Sequence, residues 1–408
     1  MVSTAIIGLI MLVLVAMTNQ MSSTWRGATE KIEKFQEARD GFEAMTRRLS
    51  QATLNTYWDY LDNTGSPRNS NVQSSAFKNF IPFMYGRASD LRFASGPMSP
   101  QSAASGVTAL AAQEQPPRIR PTHGIFFQAP FGVVNAGDAQ STLTDYGIMN
   151  NLLNTWGYFV ETGYDTTRPA FVDAANVPKR WRSRLMEYRL PAEQMAVYDP
   201  TVPPTAAAYA NGAGYTWFTV FLPISTPNRP VRTLAENVLA LVILPKLSNA
   251  DQDARAQTYG SSAAPLSPSY AYDSTLTLNP GVSNGSPDPA SINPKNQLPP
   301  IVSVTMIAVD ERSAERLADK YCSQPNQSAP SLADATMGMS KATSDVGISY
   351  NTLFTNSLAL ETPDTGNINT SGDLVKFEKA LTKEGCSYRV FTTNVTIRGA
   401  KWSRSQTK

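Results

Sequence analysis

The chain has 408 residues, of which 17% are charged, and its formal net charge is +2. This length allows two or three domains or one large elaborated domain, and 41% hydrophobic residues can bury a sizeable core. A single histidine and two cysteines exclude a zinc finger, a multi-histidine metal site and a four-cysteine iron–sulfur cluster. The near-neutral charge, without a basic stripe, argues against a nucleic-acid partner.

The chain begins with an apolar run from Val2 to Met17, and no charged side chain precedes Arg26. A bilayer crossing needs about 20 apolar residues. We therefore expect a membrane span over about residues 2–21, although the run itself is short. The alternative is a secretory signal peptide, which would need a basic start and a cleavage site of small residues, and neither is present.

After Arg26 the pattern becomes amphipathic, with apolar residues three and four positions apart. This spacing predicts one helix over residues 1–56, whose second part packs on its own domain. A plain anchor with a stalk is the alternative. The residues predicted to pack against the domain are Ile32, Phe35, Phe42, Met45 and Leu49.

The remainder, 57–408, alternates short β-rich runs with long polar loops, including a Pro-rich segment at 258–299. Ile301–Val309 is almost uniformly apolar, which indicates a buried central strand. Helices are predicted after Asp310, as an N-cap, and over Asp373–Lys383 with Gly385 as the stop. The fold class expected is therefore α+β: a long N-terminal transmembrane and amphipathic helix on a mainly antiparallel β-sheet domain with long loops.

Several long segments resemble a known family. They include VSTAIIGLIMLVLV (2–15), TRRLSQATLNTYWDY (46–60), HGIFFQAPFG (123–132), RLMEYRLPAEQMAVY (184–198) and YRVFTTNVTIRGAKWS (388–403). The chain is similar to type IV pilins and type II secretion pseudopilins, and most similar to the Verru_Chthon cassette protein C group of Verrucomicrobia. The Gly–Phe processing site and the following glutamate of pilins are absent, and we expect them upstream of Met1.

The resemblance implies a non-catalytic, membrane-anchored minor pseudopilin that assembles through its N-terminal helix into a fibre or a secretion or pilus-type machine. The implied partners are membrane lipid and other pilin-like subunits. The implied location is a bacterial inner membrane, with the large domain in the periplasm or outside the cell. The side chains implied in membrane insertion and assembly are Ile6, Ile7, Leu9, Ile10, Leu12, Val13 and Leu14. The rival hypothesis is an anchored adhesin or carbohydrate-binding domain that uses loops 199–215 and 258–299.

Chemical sites are weakly indicated. His123 would need a nucleophile or carboxylate beside it to act in catalysis, and we expect a structural histidine instead. The sequence has no Walker A or GxGxxG motif, so we predict no cofactor and no enzyme. A disulfide between Cys322 and Cys386 is one expectation for an oxidising compartment, and two buried free thiols are the other.

The segment YWDYLDNTG (57–65) allows two interpretations. Asp59 and Asp62 lie three positions apart, but a calcium site needs six to eight oxygen ligands, so a solvated helix end is expected and no metal is predicted. The aromatic residues Tyr57, Trp58 and Tyr60 could pack under the helix end or form an exposed contact surface.

Overall fold

The structure is a computed structural model, and the residues that it describes form a long N-terminal helix, several shorter helices and three antiparallel sheets. It describes residues 2–63, 80–99, 107, 109–111, 118–134, 151–164, 171–172, 180–195, 218, 222, 229–259, 265–277, 292–322, 331–360, 362–368 and 370–402. Within the helix, the side chains at 1–7, 9–10, 23–24 and 26–34 are outside the description.

The helices and strands are numbered in chain order. The helices are α1 Val2–Leu49, α2 Asn249–Tyr259, α3 Glu311–Tyr321, α4 Leu332–Ala335, α5 Met339–Asp345 and α6 Asp373–Lys383. The strands are β1 Tyr57–Leu61, β2 Met84–Ala88, β3 Ala94–Pro97, β4 Arg118–Ile119, β5 His123–Pro130, β6 Leu153–Tyr164, β7 Trp181–Leu190, β8 Val231–Glu236, β9 Val238–Lys246, β10 Tyr272–Asp273, β11 Ile301–Val309 and β12 Tyr388–Thr396.

The largest sheet has seven strands in the order β10-β3-β5-β6-β7-β8, with β4 also paired to β6. Most residues of its central strands β5, β6 and β7 are buried. Because successive side chains of a strand point to opposite sides, both faces of the sheet are covered there. Phe127 and Tyr158 point into the core beneath α1, and their neighbours Phe126 and Phe159 point into a separate core on the other face. The sheet is therefore an inner layer rather than a surface.

A three-stranded sheet in the order β12-β11-β9 forms the next layer. One face, with Val304 and Met306 of β11, joins the core that α1 and the large sheet share. The other face, with Ile307 and Val309, is covered by α3, α5 and α6. The prediction of a buried central strand over Ile301–Val309 is confirmed, because β11 lies between β9 and β12 with these bounds.

The two helices predicted from capping signals are confirmed. The carboxylate of Asp310 accepts a hydrogen bond from the backbone N–H of Ser313, as an N-cap of α3 should. α6 spans the predicted residues, and Gly385 follows it with a φ of 65°, the left-handed conformation typical of a helix stop.

The transmembrane part of the expected fold class is wrong. In the part of the chain that the structure describes, no helix combines the length and the hydropathy that a bilayer crossing requires. The physical reason lies in the apolar run from Val2 to Met17, whose sixteen residues extend about 24 Å along a helix, against a hydrocarbon core of about 30 Å. The α+β class and the mainly antiparallel sheets are as expected.

The first helix also ends earlier than predicted, at Leu49 rather than near residue 56. Thr53 pairs with Gln128 of β5, and its backbone N–H donates to the Gln128 carbonyl at 2.9 Å. Asn55 follows with a φ of 44°, a left-handed conformation that does not continue a helix. A tertiary hydrogen bond to the large sheet therefore accompanies the early end of the helix.

Candidate assembly surfaces

The N-terminal part of α1 exposes large apolar side chains on every side of the helix. We call the exposed side chains between Met11 and Met21 the apolar helix surface. They are Met11, Leu12, Val13, Leu14, Val15, Met17 and Met21, between 45% and 74% exposed. Three of the predicted assembly residues, Leu12, Val13 and Leu14, are thus exposed, while the side chains of Ile6, Ile7, Leu9 and Ile10 lie outside the described residues.

The C-terminal part of α1 packs on the domain through three of the side chains named for that contact. Phe42, Met45 and Leu49 are buried in the core between the sheets, and Phe42 lies 5.8 Å from the ring of Phe391 on β12. Phe35 is half-buried beneath the guanidinium of Arg389, and the side chain of Ile32 is not described. Among its described side chains, α1 therefore has a packed C-terminal part and an exposed apolar stretch between Met11 and Met21.

A buried carboxylate fastens the end of α1 to the large sheet. Glu187 on β7 is fully buried and accepts hydrogen bonds from Arg48 of α1 and Arg232 of β8. The indole N–H of Trp156 and the hydroxyl of Tyr158 also donate to it, at 2.8 and 3.0 Å. The Arg48 guanidinium lies over the Trp156 ring as well. The orientation of α1 therefore rests on a charged pair as well as on apolar packing.

A second exposed apolar surface lies on the two-stranded ribbon formed by β1 and β2. Tyr60 is directly opposite Tyr85 and Trp58 is opposite Arg87, so these four side chains share one face. Trp58 stacks on Tyr85 with ring centroids 5.6 Å apart, and Tyr60 approaches Tyr85 at 5.3 Å. Each of the three rings is more than half exposed.

Two more exposed apolar side chains lie beside this surface, in the segment that leads into β2. Ile81 is 78% exposed and Phe83 is 71% exposed, and the backbone N–H of Phe83 donates to the Leu61 carbonyl to continue the ribbon. We call the set Trp58, Tyr60, Ile81, Phe83 and Tyr85 the ribbon face. The contact-surface interpretation therefore suits Trp58 and Tyr60, whereas Tyr57 is half-buried and donates to Asp90.

The β2 half of the ribbon face is not among the features predicted from sequence. A signal was present in the run Phe80-Ile81-Pro82-Phe83-Met84-Tyr85, which is unusually apolar for a segment flanked by polar residues. The two candidate calcium ligands lie at the same ribbon, Asp59 on β1 and Asp62 directly after it. Asp59 accepts from the backbone N–H of Tyr60, and no cluster of three metal-ligating side chains occurs among the described residues.

His123, which starts β5, is fully buried between two other segments. Its Nε2 lies 3.0 Å from the Phe354 carbonyl, and its Nδ1 accepts from the backbone N–H of Ile243. This pattern requires a neutral ring with its proton on Nε2. Burial lowers the pKa of His123 from 6.5 to about 4. A proton on Nδ1 would point at the backbone N–H of Ile243, which also donates, so the hydrogen bond between them would be lost. The placement is that of a structural histidine.

The pKa of His123 predicts acid sensitivity. Because the folded pKa lies below the unfolded value, the unfolded chain takes up this proton first as pH falls from 6.5 towards 4, and stability is lost in that window. We expect a loss of about 2 kcal/mol between pH 7 and pH 5 from this residue. Denaturant unfolding at both pH values would measure it. The His123→Gln variant should lose less stability over the same interval, and equal losses would contradict the assignment.

Both cysteines are free thiols in the structure, so the disulfide expectation is not met. Cys322 donates weakly to the Ala333 carbonyl, while Cys386 is contacted by the guanidinium of Arg316. Burial raises the pKa of Cys322 to about 12 and also raises that of Cys386. A raised pKa keeps a thiol protonated and unreactive. The structure therefore agrees with the other expectation for these two residues, a pair of free thiols.

Most residues of the two loops named in the rival binding hypothesis lie outside the part of the chain that the structure describes. Residues 199–215 lie outside the described residues, and 258–299 is described only at 258–259, 265–277 and 292–299. Comparison of the chain with protein-family models, with curated proteins and with solved structures finds no match.

Proposed function

We propose that this chain is a non-catalytic, pilin-like assembly subunit that associates with other subunits through the exposed half of α1. The observation that carries the proposal is the apolar helix surface, a stretch of eleven positions with seven exposed large apolar side chains and no charged residue. Contiguous exposed apolar patches on proteins mark interaction sites, because covering them removes unfavourable water contact.

The local structure of the helix favours association over solvation. The one threonine within this surface, Thr18, donates its hydroxyl to the Leu14 carbonyl at 2.8 Å, so its polar group is satisfied within the helix. A partner helix or sheet would therefore not strip water from this hydroxyl, and the other polar side chains of the stretch are Asn19 and Gln20.

The domain holds the other half of the same helix firmly. Met45 and Leu49 are fully buried, and Arg48 is paired with the buried Glu187. A helix fastened along one half has fewer orientations to lose when its other half meets a partner, which lowers the entropic cost of association. This arrangement supports assembly more directly than it supports a flexible tether.

No feature of the described residues favours catalysis as strongly. The single histidine of the chain is buried and held by two backbone groups, and its lowered pKa leaves it neutral at pH 7. The predicted lipid partner and the predicted inner-membrane location stay predictions.

The proposal is tested by placing a charge within the apolar helix surface. We expect Leu14→Glu to weaken self-association of the full-length chain at least tenfold, because assembly would have to bury the new carboxylate without a partner. Sedimentation velocity over a concentration series would measure the change. The free energy of unfolding should stay within about 0.5 kcal/mol of the wild type, since Leu14 is exposed.

The matched control is Gln36→Glu, which adds the same charge at an exposed position of the same helix but in its packed half. This variant should associate as the wild type does. A wild-type chain that remains monomeric at all concentrations, or a Leu14→Glu variant that assembles normally, would overturn the proposal.

A further inference from the structure

We infer that the ribbon face receives the apolar helix surface of a second copy of this chain, in a head-to-tail contact. The inference rests on the proposed assembly function and adds the identity of the surface that accepts the helix. It starts from the observation that one chain carries two exposed apolar surfaces on different elements, one on α1 and one on the β1–β2 ribbon.

The two surfaces of one chain lie at opposite ends of α1. Met21 precedes Leu49 by 28 residues, which is about 42 Å along a helix. The ribbon is fastened near the Leu49 end: Ser89 donates to the Leu54 carbonyl, and Arg87 donates to the Lys401 carbonyl at 2.8 Å. A rigid helix cannot fold back onto the ribbon, so covering both surfaces requires another molecule.

The two surfaces match in size and in charge. The apolar helix surface spans eleven residues, about 16 Å at the helical rise, and each five-residue strand of the ribbon spans about 17 Å. No charged residue lies between Met11 and Met21. The side chains of the ribbon face are likewise uncharged, with Arg87 at one end over the Trp58 ring. Apolar surface of equal length would therefore meet apolar surface, while the flanking side chains of Arg87 and Asp62 would have to stay in contact with water.

The ribbon face is already ordered for binding. Trp58, Tyr85 and Tyr60 contact one another in sequence across the two strands. Aromatic side chains have few rotatable bonds, and rings that are held by neighbours lose little further entropy when a partner covers them. The receiving surface is therefore more preorganised than an isolated apolar helix would be.

The symmetry of the contact explains how a fibre could grow. A helix on one copy and a ribbon on the next form a heterologous interface, which repeats without closing unless the rotation happens to complete a ring. The five side chains of the ribbon face offer on the order of 600 Å² of exposed surface. That is near the lower end for a specific interface, so each contact would be weak and assembly would depend on concentration.

Cross-linking between two singly substituted full-length chains tests the contact. Met17→Cys places a thiol in the apolar helix surface, and Ile81→Cys places one at the margin of the ribbon face, where the ring contacts are retained. With a short bismaleimide, we expect a cross-linked dimer when the two variants are mixed. The wild-type chain controls for the native thiols, which are partly or fully buried.

The outcomes separate this inference from the proposed function. A dimer formed by Met17→Cys alone, without a dimer in the mixture, would mean helix-to-helix association and would overturn the inference while supporting the proposed function. A wild-type chain that assembles without any cross-link in the mixture would overturn only the inference. A wild-type chain that never assembles would overturn both.

A second measurement uses the ribbon itself. Tyr85→Ser should weaken assembly at least tenfold while lowering the melting temperature by no more than about 3 °C. Leu358→Ser, at an exposed leucine elsewhere, should assemble as the wild type does. If Tyr85→Ser assembles normally but loses retention on a polysaccharide column that holds the wild type, the ribbon face binds sugar and the inference is overturned.

Discussion

Replacing Glu187 by alanine should destabilise the chain by about 3 to 5 kcal/mol, because the buried donors of Trp156 and Tyr158 lose their acceptor and two partly exposed arginines lose their shared carboxylate. The carboxylate is fully buried. Its loss would leave Arg48, Arg232, the Trp156 indole N–H and the Tyr158 hydroxyl without their shared acceptor. Denaturant unfolding of the full-length chain at pH 7 would measure the change.

The matched control is the exposed pair of Arg39 and Glu43, one turn apart on the same helix. Both side chains are more than 60% exposed, so Glu43→Ala should cost less than about 1 kcal/mol. Equal costs for Glu187→Ala and Glu43→Ala would contradict the role assigned to the buried carboxylate. Glu187→Gln should fall between them, because an amide still accepts one hydrogen bond but carries no charge.

Replacing Met45 by alanine should cost about 2 to 5 kcal/mol, the range for deleting a large buried apolar side chain whose site cannot collapse. Met45 is fully buried in the core that α1 shares with both larger sheets. Because its neighbours belong to three rigid layers, we expect little relaxation around the cavity. Thermal and denaturant unfolding would both report the loss.

Phe35→Ala provides the comparison on the same face of the helix. Phe35 is only half-buried beneath Arg389, so truncating it should cost clearly less than truncating Met45. A larger loss from Phe35→Ala than from Met45→Ala would mean that the contact at the middle of α1, rather than the one near its end, holds the helix on the domain.

Much of the local structure could be predicted from sequence because it depends on neighbours in the chain. The spacing of Phe42, Met45 and Leu49 at three and four residues places them on one side of a helix wherever that helix lies. The cap at Asp310 and the stop at Gly385 act within one turn, and both are found as predicted.

The prediction of a membrane span was wrong because it depended on the surroundings of the helix rather than on neighbours in the chain. It was inferred from apolar composition and from a resemblance, although the run from Val2 to Met17 is short of a bilayer crossing. Composition alone does not distinguish a helix that crosses lipid from one that meets protein, because both environments favour the same side chains. Leu12, Val13 and Leu14 are exposed, as the predicted assembly role requires, and that role stays a prediction.

The ribbon face, unlike the apolar helix surface, is formed only by the tertiary structure. Trp58 and Tyr85 are 27 positions apart, and only the pairing of β1 with β2 brings their rings together on an exposed face. His123 and Glu187 acquire their partners from segments that are 29 to 231 positions away. No local pattern encodes such contacts.

The sequence by itself determined the buried strand over Ile301–Val309, the capped helices α3 and α6, which side of α1 turns inward, and that its first part is apolar. Tertiary structure alone decided that Glu187 and His123 are enclosed, that the cysteines stay apart, and that the ribbon's aromatic rings face outward. The physical reason is range: hydrogen-bond periodicity acts over three or four residues, whereas burial is set by whichever distant segments happen to cover a side chain.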